Sequence, residues 1–344
     1  MAGARWSERF GPTRGNALTA PAFAATFRRM RIGSEEHLTR LCREFIDTHR
    51  LFDPPSLPWP DLDEASIAKL RALPFWDEAI RTERRTGAKV CAYAAFEEPP
   101  LLREAVALQG YEETRHALLL DTLVTRYGIA VDPGAEKPLP ANLEWAFVRT
   151  GYGECIDSFF AFGLFAVARD IEFLPCALLD LLEPIVQEEV RHILFLVNWV
   201  AYKRRQRPAV ARPFYAMRCL AAFAGAAYDR ARSAGNVARA GKDSRDGSVA
   251  GSKNGSATST AQTADVSKDG FTASGVSAIS TDFSVRRFVG RCLEENERRF
   301  AVYDRHLLRP RLVPALARAY LRLMGLRGAA GDGSLAQSRR ARDA

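Results

Sequence analysis

Two segments of the chain repeat one polar cluster inside an apolar helical pattern, and this repeat restricts the fold more than any other feature. They read YEETRHALLL over 111–120 and QEEVRHILFL over 187–196. Steps of four and three residues place Glu113 and His116 on one line with mainly apolar residues, and Glu189 and His192 on a similar line. Such lines are typical of the inward faces of bundled helices. The repeat therefore predicts two helices whose buried faces each carry a Glu and a His.

A buried Glu needs compensation, which gives this pattern a chemical meaning. An ionised carboxylate inside a bundle costs several kcal/mol unless it is paired or bound to a metal ion. A Glu and a His three residues apart lie on one side of a helix, so both can reach the same ion. The two copies therefore predict metal ligands from two helices.

Two further helices should supply carboxylates at the same level of the bundle. The segments over about 75–97 and 101–127 are expected to form an antiparallel pair, and counting outward from their turn selects Glu83 as the partner of Glu113. Glu97 and Glu98 lie at the turn itself and are expected to face solvent.

The segments over about 141–173 and 176–203 are expected to form the second pair, which turns near Pro175. Two acids before this turn can match Glu189. Counting slightly favours Asp157, whereas the longer side chain favours Glu154. We expect Glu154 to be the ligand and Asp157 to lie beside the ligands.

This combination of residues resembles the dinuclear metal site of the ferritin-like superfamily, over about residues 75–203. The resemblance implies an all-α fold, a ferritin-like four-helix bundle with additional flanking helices. The implied ligands of two iron ions, with manganese as an alternative, are Glu83, Glu113, His116, Glu154, Glu189 and His192.

The longer repeat, Glu-Glu-x-Arg-His, is similar to a motif of bacterial di-iron monooxygenases. The resemblance implies that Glu112 and Glu188 each orient a ligand histidine, and that Arg115 neutralises Glu112 and Arg191 neutralises Glu188. This chain has Glu where the family more often has Asp. The alternative is that these residues form ordinary ion pairs on helix surfaces.

The resemblance also implies a function, an oxidase or oxygenase that uses O2 to oxidise a small apolar organic substrate. Leu120 stands where ribonucleotide reductase radical subunits carry a tyrosine, and no C-x-x-C motif provides the iron domain of rubrerythrin-like peroxidases.

Ser158 resembles a hydroxyl that assists oxygen activation in several monooxygenases, or else fills a helix contact. The phenylalanines over 159–165 suggest either a substrate channel or plain core. The alternative function is a non-catalytic or stress-related metal-binding protein that handles iron or peroxide.

Composition sets the domain organisation. Alternating strand patterns are nearly absent, and helical periodicity covers residues 34–232 and 283–327, with Ser34 as the cap of the first helix. We expect one helical domain over these two ranges. A mobile arm is expected over 1–33, a disordered insertion over 233–282 and a flexible tail over 328–344.

The remaining composition restricts location and partners. The chain carries a net charge of +8, but aromatic residues do not alternate with its basic clusters, so we expect no nucleic acid partner. No apolar run is long enough for a membrane span, and single scattered cysteines fit the cytoplasm. No G-x-G-x-x-G motif is present, so electrons are expected from an external donor or reductase. A homodimer is compatible with the sequence.

Overall fold

The computed structural model describes residues 30–73, 75–132, 134–135, 137–246 and 285–324, with only the backbone over 233–246. Within these ranges the chain is all-α and contains no strand, as predicted. The helices are α1 (Glu35–Asp47), α2 (Glu64–Arg71), α3 (Trp76–Ala94), α4 (Pro100–Arg126), α5 (Leu143–Asp170), α6 (Cys176–Gln206), α7 (Arg212–Asp246), α8 (Val285–Phe300) and α9 (312–324).

Local sequence accounts for where these helices begin. The Ser34 side chain accepts a hydrogen bond from the backbone N–H of His37, so the predicted cap of α1 is confirmed. Asp63 and Asn142 cap α2 and α5 in the same way. Pro100 occupies the first turn of α4, where a missing backbone N–H removes no helical hydrogen bond.

Helices α3 to α6 form a four-helix bundle in which each helix contacts two others. Helix α3 packs on α4 and α5, and α6 packs on the same two helices. Gly87 lies against Thr114, and Gly110 lies against Cys91, so α3 and α4 are antiparallel. A Cβ atom on Gly110 would lie 2.8 Å from the backbone nitrogen of Cys91. Helices α3 and α4 can therefore approach this closely only because residue 110 is a glycine.

The core of the bundle consists of two apolar clusters separated by a polar layer. One cluster surrounds Phe147 and Trp199, and the other surrounds Trp76 and Leu178. On each of α3, α4 and α6, residues of one cluster precede the predicted metal ligands and residues of the other follow them. The predicted ligands therefore lie at the level where the apolar core is interrupted.

The other helices cover the outside of the bundle. Helix α1 packs on α4 and α6, α7 packs on α5 and α6, and α8 packs on α5 and α6. Phe288 and Cys292 of α8, with Val313 and Ala317 of α9, extend the apolar core beyond α5. None of the helices in the described part of the chain is long and apolar enough to cross a bilayer.

The structure places one domain boundary differently from the sequence prediction. Helix α7 continues to Asp246, past residue 233, where the insertion was expected to begin. Residues 229–240 contain several Ala and Arg residues, which are good helix formers. The predicted insertion beyond residue 246, the arm up to residue 29 and the tail over 328–344 lie outside the described residues.

Candidate metal centre

The six predicted ligands converge in the polar layer of the bundle. Apart from a group of His49, Glu112 and Glu188, two groups of side chains bring ligand atoms within 4.8 Å of one another. One group contains Glu83, Glu113, His116 and Glu189, and the other contains Glu113, Glu154 and His192. Because Glu113 belongs to both groups, the two groups adjoin each other and could hold one cation each.

Glu189 also lies between the two histidines. Its Oε1 atom is 3.3 Å from Nδ1 of His116 and 3.8 Å from Nδ1 of His192. Nδ1 of His192 is 2.9 Å from Oε1 of Glu113, and Nδ1 of His116 is 3.7 Å from Oε2 of Glu83. Glu113 and Glu189 thus occupy the shared middle of the site.

Several of these ligand atoms are buried without a hydrogen bond. Oε1 of Glu113, Oε2 of Glu154 and Nδ1 of both histidines have no hydrogen-bond partner in the part of the chain that the structure describes. Some of them approach one another closely, but not at hydrogen-bond angles. Buried polar atoms are rarely left unsatisfied, because each costs about 1–3 kcal/mol. Metal ions would satisfy all four atoms, so the residues present fit a metal centre.

The electrostatics of the site also favour a bound cation. Burial raises the pKa of Glu113 well above its usual range, and the charge of Glu154 adds to the effect. Burial raises the pKa of Glu154 to about 7, with a further contribution from Glu189. Burial alone would lower the pKa of His116, but Glu188, Glu189 and Glu83 raise it well above its usual value. Cations would relieve the repulsion among these buried carboxylates.

Each ligand histidine is held from behind by an acid of the opposite helix. Nε2 of His116 lies 2.9 Å from Glu188 of α6, and Nε2 of His192 lies 2.9 Å from Glu112 of α4. A carboxylate at this position accepts the Nε2–H proton, so Nδ1 faces the centre, where a bound cation would displace its proton and take its lone pair. Glu112 and Glu188 thus each contact Nε2 of a histidine on the other helix, and their role beside a metal ion stays a prediction.

The arginines exchange partners relative to the prediction. Arg115 donates to Glu188 at 2.6 Å, and Arg191 donates to Glu112 at 2.5 Å, so each arginine bonds the acid of the other motif. Residues three apart on one helix point the same way, so Glu112 and Arg115 both face α6. The antiparallel helix presents the opposite order of charges, and the short contacts form across the interface. Within one motif, Arg191 remains 3.9 Å from Glu188.

The prediction from sequence missed the contribution of the end of α1. His49 contacts Glu112 through Nδ1, and only 13% of its side chain is exposed. The backbone carbonyl of Thr48 accepts a hydrogen bond from Arg191, and that of Arg50 accepts one from Arg115. His49 belongs to no motif with regular spacing, so the only signal in the sequence is that it is one of five histidines.

On α5, the geometry separates Glu154 from Asp157. Glu154 belongs to a ligand group, whereas Asp157 forms an ion pair with Arg230 of α7 at 2.6 Å. Asp157 thus lies near the predicted ligands, but it pairs with an arginine and belongs to neither ligand group. The Ser158 hydroxyl donates to Oε2 of Glu189 at 3.4 Å, so this serine does contact the site.

The expectation for Glu97 was wrong, because Glu97 is completely buried. It accepts hydrogen bonds from the Tyr93 hydroxyl at 2.6 Å and from Nε1 of Trp199 at 2.7 Å, and it lies 3.1 Å from Nζ of Lys203. The turn after α3 directs this side chain into the bundle, where the three donors compensate its charge. Glu98 is exposed, as expected.

An apolar cavity of about 310 Å³ adjoins the centre. Glu83, His116, Glu154 and Glu189 line one part of it, and most other lining residues are apolar. Of the phenylalanines over 159–165, Phe162 and Phe165 line the cavity. Phe159 and Phe160 pack instead in the cluster with α8 and α9, so the stretch is part channel wall and part core. The cavity gives a molecule of moderate size access to the ligand groups.

Comparison with models of protein families, with characterised proteins and with solved structures finds no match to this chain. The site consists of buried clusters of acidic and histidine side chains that could hold metal ions, inside an all-helical fold.

Proposed function

We propose that this chain is a ferritin-like dinuclear-iron protein, an oxidase or oxygenase that uses O2 to oxidise a small apolar organic substrate. One observation carries the proposal: unsatisfied buried ligand atoms lie next to a largely apolar cavity. A storage site needs no such cavity, whereas an oxygenase must hold an organic molecule beside its metal ions. Two imidazoles among four carboxylates suit iron, with manganese as the alternative.

The six ligands divide naturally between two ions. Glu83 and His116 would hold one ion, Glu154 and His192 would hold the other, and Glu113 and Glu189 would contact both. When bound, a pair of iron ions supplies the reduction of O2 by electron pairs. The chain also requires an external electron donor, since two electrons and two protons accompany the transfer of one oxygen atom to the substrate and the release of the other as water.

The surrounding residues have supporting roles. Glu112 and Glu188 fix the tautomers of the histidines, and the arginines bonded to these acids keep them ionised. Ser158 contacts Oε2 of Glu189, which suits it to hold a proton at that oxygen during turnover. The apolar cavity wall keeps bulk water away from the reacting atoms. We place the protein in a reducing cytoplasm, where a soluble reductase can reach it.

The test loads the chain with Fe(II) without oxygen and then adds dissolved O2 while absorbance and oxygen uptake are followed. Rapid O2 uptake in the presence of a reductant and candidate substrates, with an oxidised organic product, supports the proposal. Glu113→Ala should abolish the reaction, whereas Glu104→Ala, an exposed position on the same helix, should leave it intact. Accumulation of many irons per chain would indicate storage instead, and no reaction with O2 or peroxide would indicate a non-catalytic protein.

A further inference from the structure

The cavity beside the centre extends along the axis of the bundle. On α5 its lining runs from Glu154 to Ala168, and on α6 it runs from Glu189 back to Leu179. At the rise of an α-helix these spans correspond to about 21 Å and about 15 Å. Because its lining residues are spread along α5 and α6 rather than collected at one level of the bundle, we call this cavity the tunnel.

The two ends of the tunnel differ in polarity. Near the centre the lining includes Thr82, Asp157, Ser158 and Arg230 beside the acidic ligands. Toward the far end the lining is apolar apart from Glu78, whose carboxylate accepts hydrogen bonds from Arg81 and Thr82. The far-end residues are Leu73, Phe75, Trp76, Ala168, Phe173, Leu174, Leu179 and Leu182. A molecule that matches this tunnel is polar at one end and apolar along the rest of its length.

We infer that the tunnel binds an amphipathic molecule with one flexible, unbranched alkyl chain. The alkyl chain of the bound molecule extends toward Trp76 and Leu179. Its polar end lies near Thr82 and Ser158, beside the ligand groups. A compact ring system would fill the polar end but leave the apolar length empty. Oxidation of this molecule rests on the proposed function, whereas its binding requires only the tunnel.

Binding can be measured on the full-length chain as purified, by titration calorimetry with straight-chain carboxylic acids below their micelle concentrations. Octanoate, dodecanoate and hexadecanoate form the series, and adamantane-carboxylate is a compact probe with the same head group. Each methylene that enters an apolar site strengthens binding about fourfold. Affinity should therefore rise along the series until the chain fills the tunnel, and the compact probe should bind more weakly than dodecanoate.

Substitutions in the cavity wall show where the alkyl chain of the bound acid lies. Ala168→Phe adds a ring at the far end, and Ala161→Phe adds one about 10 Å from Glu154 along α5. The first should weaken hexadecanoate about tenfold or more and octanoate hardly at all, since only the longest chains reach that end. Ala161→Phe should shift the preference to acids with a still shorter alkyl chain. It also tests the inference if Ala168→Phe fails to fold. Ala177→Phe adds the same ring on the exposed surface of α6 and should change nothing.

The possible outcomes separate this inference from the proposed function. Binding that strengthens with the length of the acid, and that both cavity variants weaken for the longer acids, supports the inference, even if O2 is never consumed. Affinity that does not depend on chain length, or equal weakening of all acids by the variants, overturns it. Stimulation of O2 uptake by compact aromatic compounds alone would also overturn it, while leaving the oxygenase proposal in place.

Discussion

At the scale of single residues, the centre is organised by contacts on the far side of its ligands. His116 and His192 present Nδ1 inward because Glu188 and Glu112 occupy their Nε2 atoms. These acids remain ionised although they are buried, because arginines and histidines from the opposite helix bond to them, and the pKa of each lies below its usual value. The direction of both imidazole rings thus depends on residues that would not touch a bound ion.

Glu112→Gln tests this dependence. The amide cannot neutralise Arg191 and holds the tautomer of His192 less firmly, so metal affinity should fall about 10–100-fold. Competition with a metal-binding dye measures the affinity. Glu104→Gln, an exposed change on the same helix, is the matched control and should retain full affinity. Equal affinity of both variants would contradict the role that we assign to Glu112.

Arg115→Met tests the buried charges. Arg115 and Glu188 are both about 3% exposed, and loss of Arg115 leaves the buried charge of Glu188 to His116 and the more distant Arg191, so the free energy of unfolding should fall by up to about 3–5 kcal/mol. Arg84→Met breaks the more exposed pair with Asp121 and should cost about 1 kcal/mol or less. Urea denaturation measures both values. Similar losses for the two variants would show that burial does not decide the cost.

At the scale of helices, the close pairing of α3 and α4 sets the spacing of the ligands. Gly110 faces Cys91 and Gly87 faces Thr114, so the two helices approach closely at both glycines. Glu83 and Glu113 lie on these two helices and reach a common group of ligand atoms. Any change that separates the helices should therefore also disturb the centre.

Two Gly→Ala substitutions in helices should have opposite effects. Ala at position 110 meets backbone atoms of Cys91, which cannot move aside easily, so we expect a loss of about 1–3 kcal/mol. Ala at Gly225 of α7 meets nothing within 4 Å, so it should stabilise the protein by about 0.5–1 kcal/mol. Thermal unfolding of both variants provides the comparison. Stabilisation by Gly110→Ala would mean that α3 and α4 are not in close contact.

At this scale, the periodic spacing of residues along each helix accounts for what could be predicted from the sequence. Steps of four and three residues place a Glu and a His together on α4, and the structure brings them into one group with Glu83 and Glu189. The exchanged arginine pairs, the burial of Glu97 and the contact of His49 could not be predicted. Each depends on which side chain of a distant segment faces the residue, and helical periodicity contains no information about that partner.

At the scale of the whole molecule, a polar layer divides one apolar core into two clusters. Four carboxylates of this layer belong to two groups around a shared Glu113. Without a cation, their mutual repulsion and the unsatisfied atoms oppose folding. Metal ions in this layer would connect all four helices of the bundle, so metal binding and stability should be linked.

This linkage predicts that chelation lowers the melting temperature. Metal that binds only the folded chain stabilises it by about 2.7 kcal/mol when free metal is at 100 times Kd. Scanning calorimetry with Fe(II) or Mn(II), before and after chelation, measures the shift. Glu113→Ala removes the residue that both ligand groups share and should melt at nearly one temperature under both conditions. A metal-dependent shift of equal size in this variant would place the binding elsewhere.

The most direct test of the account is the number of metal ions that each chain binds after anaerobic reconstitution and removal of loose metal. Elemental analysis should find about two ions of iron or manganese per chain, as expected for a centre with one Glu from each of two helices and a Glu-x-x-His from each of the other two. The Glu113→Ala variant should lose both ions, and the His192→Ala variant should lose at least the ion that His192 would hold. Fewer than about half an ion per chain in the unaltered protein would contradict the claim that these residues form a dinuclear centre.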